Sequence, residues 1–105
     1  MPSYIVCTMS IHDPVTYRKY SDFTPPTLAR YGGYFATRGE PTKTLEGAEF
    51  GERMVILGFP DNESAEAWYN DSEYQRLCEH RRAASKGRMV LQQGSEDSAA
   101  PDAKV

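Results

Sequence analysis

Residues 53–59, RMVILGF, constrain what this chain can fold into more than any other stretch. Met54 and Ile56 face one way; Val55, Leu57 and Phe59 face the other, with the period of two that a strand imposes. Both faces are apolar, so the strand belongs in the middle of a sheet and needs cover on both sides. The rest of the chain has to supply that cover. At 105 residues it makes one domain with a modest core.

Three further stretches fit a strand. In residues 4–11, Ile5, Cys7, Met9 and Ile11 alternate with Tyr4, Val6, Thr8 and Ser10. Residues 33–38 (GYFATR) form a second strand, bent at Gly39-Glu40-Pro41 and resuming at 42–46; residues 47–52 are a polar turn. Residues 88–93 (RMVLQQ) form the last strand, after Lys86-Gly87.

Two helical stretches lie between the strands. Asp13 caps the first and Pro14 takes its first position. Tyr17, Tyr20, Thr24, Leu28 and Tyr31 lie near one face, Pro25-Pro26 is expected to kink or break the stretch, and Gly32-Gly33 closes it. Residues 59–82 hold the other pair of helices, one capped by Asp61 or Asn62, the next by Ser72 with Gln75 as a capping box. Ala65, Trp68 and Tyr69 share a face in the first, and Tyr74, Leu77, Cys78, Arg81 and Ala84 in the second. The two stripes meet at Asn70 and Asp71, where a small-molecule site is expected.

The order is β-α-β-β-α-β, the ferredoxin-like plan of the α+β class: a four-stranded antiparallel sheet with helices on one face. The other face of the doubly apolar strand is left bare, which predicts a symmetric homodimer packed sheet to sheet. The domain spans residues 1–94. Residues 95–105, small and polar, are expected to be a disordered tail.

Net charge is −3, much of it in that tail. No basic field suits nucleic acid, no apolar run is long enough to span a membrane, and the N-terminus lacks a signal-type stretch, so a cytoplasmic protein is expected. Cys7 and Cys78 read as buried free thiols, and with His12 and His80 they lack metal-ligand spacing. Gly32-Gly33 closes a helix rather than opening one, so it is no phosphate loop. No cofactor is expected.

The pieces in register are Asp13-Pro14 with Tyr17 and Tyr20, Pro25-Pro26, Tyr31-Gly32-Gly33, Arg38-Gly39, Leu45-Glu46-Gly47, Phe59-Pro60, Ala67-Trp68-Tyr69, Ser72 with Tyr74, and Arg81. As a set, over about nine tenths of the chain, they resemble the bacterial family catalogued as domain of unknown function thirteen-thirty, in the dimeric α/β-barrel superfamily. The resemblance implies a ferredoxin-like protomer and a barrel-forming dimer, but no particular reaction. The superfamily also includes cofactor-independent monooxygenases, isomerases and haem-degrading enzymes. The first strand here lacks the asparagine that some haem degraders carry.

Candidate chemistry rests on few residues. Arg38 and Arg81 can hold a carboxylate or enolate, with Tyr17, Tyr20, Trp68, Tyr69 and Tyr74 lining a cavity for an aromatic or anionic small molecule. Glu46 or His80 would move a proton. The opposing readings are an Arg38–Glu46 salt bridge and aromatic core packing. Two functions follow: an enzyme of proton transfer or isomerisation, or a non-catalytic ligand-binding or stress-related accessory protein. Cofactor-independent monooxygenation is a third.

Overall fold

Alternating apolar residues in four stretches pair into one antiparallel sheet. The computed structural model describes residues 1–100. Its elements are β1 (Ser3–Ile11), α1 (Pro14–Ser21), α2 (Thr24–Ala29), β2 (Tyr34–Arg38), β3 (Arg53–Phe59), α3 (Asn62–Tyr69), α4 (Ser72–Ala84) and β4 (Ser85–Gln92). The strand order is β2-β3-β1-β4, so the doubly apolar β3 is central, as its composition requires. Each of the two predicted helical stretches is a pair of helices, and they cover one face of the sheet. This is the ferredoxin-like arrangement.

The core lies between that face and the helices. Ile5, Cys7 and Met9 of β1 and Val55, Leu57 and Phe59 of β3 are buried there with Tyr17, Tyr20, Leu28, Ala65, Trp68, Tyr74 and Cys78. Both cysteines are free and buried. On the opposite face Val6, Met54 and Ile56 are half-buried. Beside them, Tyr4, Tyr34 and Val90 are 37%, 50% and 52% exposed. Tyr4 and Tyr34 pair with Gly58 from either side, and the Tyr34 ring lies over its bare backbone.

Capping is uniform. Asp13, Asp61 and Asp71 each sit at an N-cap and accept from the backbone N–H three residues on, at Thr16, Ser64 and Tyr74. The sequence pattern had pointed to Ser72 for α4. Asp71 wins because tertiary contacts hold it: its carboxylate also accepts from the Tyr31 hydroxyl at 2.7 Å and faces Arg30 at 3.8 Å. Ser72 becomes the first helical residue, and the Gln75 amide donates to the Tyr69 carbonyl instead of completing a capping box.

Three other boundaries differ from expectation. The first helical stretch breaks at Asp22-Phe23, ahead of Pro25-Pro26, which lie in the first turn of α2, where a missing N–H costs nothing. The irregularity in β2 falls between Phe35 and Thr37, and no strand resumes at 42–46; residues 39–52 form one long irregular link. Finally, β4 starts at Ser85 directly after α4, because the Ala84 carbonyl turns to accept from His12 and Asp13 and ends the helix. Gly32 closes α2 as expected, with φ of 72°. Residues 95–100 make a short turn, with the Ser98 N–H on the Ser95 carbonyl. The tail expected from composition otherwise falls at 101–105, outside the described residues.

Candidate functional site

Extending the core-facing set of β3 two residues towards its start reaches Arg53. The pairing Met9↔Arg53 puts it on the helix side of the sheet, and Arg38↔Val55 does the same for Arg38 on β2. The two arginines meet at the mouth of a cavity of about 200 Å³ between the sheet and α1. Cys7, Met9, Val55 and Leu57 form its floor, and Tyr17, Tyr20 and Phe35 its walls.

Both guanidiniums are held by local contacts. Arg38 stacks on the Phe35 ring, 4.1 Å from its centroid. Arg53 donates to the Arg38 carbonyl at 3.2 Å and packs on Gly39, where any Cβ would collide with it. Gly39 is favoured by its φ of 84°. Among the described residues neither arginine has a carboxylate within ion-pair distance, whereas Arg30 pairs with both Asp71 and Glu73. The Nε of Arg53 is buried with no hydrogen-bond partner.

The titratable groups deeper in the cavity keep their protons at neutral pH. Burial pushes the Cys7 thiol up to about 12, against the opposing charge of Arg81. Burial also raises Tyr17, which the charge of Arg53 counters in part. Tyr20 is raised for the same reason, with its contact to Tyr74 opposing. The Tyr17 hydroxyl donates to the Met9 sulfur at 3.1 Å, and those of Tyr20 and Tyr74 meet at 2.8 Å. The site offers positive charge and neutral donors, with Asp22 the one acidic residue in its lining.

Not all the expected site residues converge here. Arg38, Tyr17 and Tyr20 line this cavity, together with Arg53, which the sequence reading treated only as the start of a strand. Arg81 and Tyr69 line a second, larger cavity on the β4 side. Trp68 and Tyr74 line neither and are fully buried between the helices and the sheet. Their rings lie 3.9 Å apart, and the indole N–H donates to the Thr27 hydroxyl at 3.1 Å. Glu46 is exposed in the link between β2 and β3; it lines neither cavity and makes no salt bridge with Arg38. His80 is half-buried on α4 and likewise lines neither. The break at Asn70-Asp71 borders the second cavity through Asn70, not the first.

The fold is similar to those of two solved proteins. One is RPA0582, a protein of unknown function from Rhodopseudomonas palustris, at TM-score 0.73 and 18% identity, covering 90% of this chain and 83% of that one. The other is SnoaB, a cofactor-independent oxygenase from Streptomyces nogalater, at TM-score 0.60 and 15% identity, covering 93% and 97%. No curated protein matches the chain in sequence. At these identities the likeness speaks for the fold alone. The family model described as Domain of unknown function (DUF1330) matches residues 2–95, and the chain belongs to that family.

Proposed function

We propose that this protein binds a small aromatic or enolic anion in the cavity between α1 and the sheet, and that Arg38 and Arg53 hold its negative charge. One observation carries the reading: two guanidiniums border one cavity with no carboxylate within ion-pair distance among the described residues, one of them with a buried orphan N–H; Asp22 is the one acidic residue of the lining, and Glu40 acts on both arginines only at longer range. Arg38 is exposed and Arg53 half-buried; the buried Nε–H of Arg53 is the group that an anion would answer. The protonated Tyr17 and Tyr20 phenols suit the same ligand as neutral walls. The volume of about 200 Å³ sits below the usual range for drug-sized ligands and favours a compact one.

Binding and polarisation fit the lining better than proton transfer does. The expected proton acceptors, Glu46 and His80, lie outside the cavity, its thiol and phenols are held neutral, and Asp22 is the one carboxylate in its lining. Cofactor-independent oxygenation is the second reading, favoured by the fold shared with SnoaB. It would use the same arginines to stabilise a substrate enolate.

The reading includes a homodimer packed through the apolar sheet face around Val6, Met54 and Ile56. Light scattering is expected to give twice the 11.8 kDa chain mass, and a stable monomer at micromolar concentration contradicts it. For the ligand, benzoate is expected to raise the melting temperature in proportion to site occupancy while benzamide, of the same shape without charge, does not. Equal shifts from the two would remove the anion-binding function.

A further inference from the structure

The second cavity is larger, about 520 Å³, and lies between α3, α4 and the edge strand β4. Its floor is apolar: Ile5, Ala65, Met89 and Leu91. Arg81 and Arg82, consecutive on α4, both border it and give it positive charge. Asn70 and Tyr69 border the cavity from the end of α3. Arg88 borders the rim, and its register with Thr8 puts it on the opposite face of the sheet.

Arg81 is the unusual member. It sits on the same helical face as Tyr74 and Cys78, both fully buried, and its guanidinium lies 5.6 Å from the Tyr20 ring centroid. Its Nε is buried without a hydrogen-bond partner, and no carboxylate stands within ion-pair distance among the described residues. Arg82 is exposed and donates only to the Gln75 amide oxygen, at 3.3 Å. Glu66 is the one acidic side chain in the lining, and it pairs with neither arginine.

We infer that this cavity is a second binding site, for an amphipathic monocarboxylate whose head meets Arg81 and Arg82 and whose apolar body lies on Ile5, Met89 and Leu91. The volume falls in the range that holds drug-sized ligands. The apolar floor gives area to bury, the planar fork of Arg81 suits a carboxylate, and Arg82 adds positive charge. Glu66 limits the ligand to a single negative charge, since a second carboxylate near it would be repelled. The inference stands apart from the proposed function, because it uses a different cavity and different arginines.

The test is calorimetric titration with octanoate, 1-octanol and the dicarboxylate suberate. Octanoate is expected to bind more tightly than either of the others. Arg82→Glu, an exposed position whose change leaves the core intact, should weaken octanoate about tenfold or more, the scale of a lost charged hydrogen bond. Arg81→Lys keeps a charge but not the fork and should weaken it less than Arg81→Gln. Arg38→Gln, at the other cavity, should leave octanoate binding unchanged even if benzoate binding fails. Unchanged affinity in Arg82→Glu, octanol binding as tight as octanoate, or the absence of octanoate binding would each overturn the second site.

Discussion

Trp68 shows why single side chains have to be read through their partners. Its spacing with Ala65 and Tyr69 put it on an inward face, and that much was legible in the sequence. Whether inward meant core or cavity was decided by Thr27, 41 residues away, whose hydroxyl accepts the indole N–H and donates to the Thr24 carbonyl. Thr27→Val should cost about 1–3 kcal/mol, because it strands a buried N–H. The Trp68→Phe, Thr27→Val double variant should cost less than the sum of the singles, and additivity in urea melts would contradict the pairing. Arg53 was overlooked for the converse reason. Extending the alternation of β3 by two residues puts it on the core side, but an arginine at a strand start reads as solvent-facing until its register with Met9 is known. Cys7 carries a pH signature. The folded thiol holds its proton more tightly than the unfolded one, whose value is about 8.5. Its contribution to stability is therefore complete below about pH 8.5 and falls as pH rises towards 12. Urea midpoints should decline between pH 8.5 and 10 in the parent and stay flatter in Cys7→Ala.

At the scale of elements, the helices are set by their first turns. Asp13, Asp61 and Asp71 are all held below the usual carboxylate value. The Thr16 hydroxyl and amide do this for Asp13, the Ser64 amide for Asp61, and the Tyr74 amide, then the Tyr31 hydroxyl, for Asp71. Lowered values stabilise the fold above about pH 4 and lose that effect as pH falls through the folded values. The triple Asp→Asn variant should show a shallower loss of stability between pH 5 and 2. An unchanged acid limb would place the effect elsewhere. Asp71→Ala should cost about 0.5–2 kcal/mol as a lost cap. The order of strands and helices was legible because period two and period 3.6 are local properties. The choice of Asp71 over Ser72 was not, since it depends on Tyr31 and Arg30, which only the fold brings near.

The whole molecule poses a packing problem that one copy does not solve. Helices cover one face of the sheet, and the other leaves Tyr4, Tyr34 and Val90 exposed around half-buried Val6, Met54 and Ile56. Ile56→Lys puts a charge at the middle of that face and should shift the proposed dimer to monomer in sedimentation equilibrium; an unchanged mass would place the interface elsewhere. The split of the expected site into two cavities also belongs to this scale. Arg38 lies on β2, and Arg81 lies on α4 in a cavity beside β4; β2 and β4 are opposite edges of the sheet, and only the strand order shows that. The central claim is that Arg38 and Arg53 form an anion site. It is tested most directly by titrating benzoate calorimetrically into the parent, Arg53→Gln and Arg82→Glu proteins. The account expects benzoate affinity to fall about tenfold or more in Arg53→Gln and to be unchanged in Arg82→Glu. Equal benzoate affinity in the parent and Arg53→Gln would contradict it.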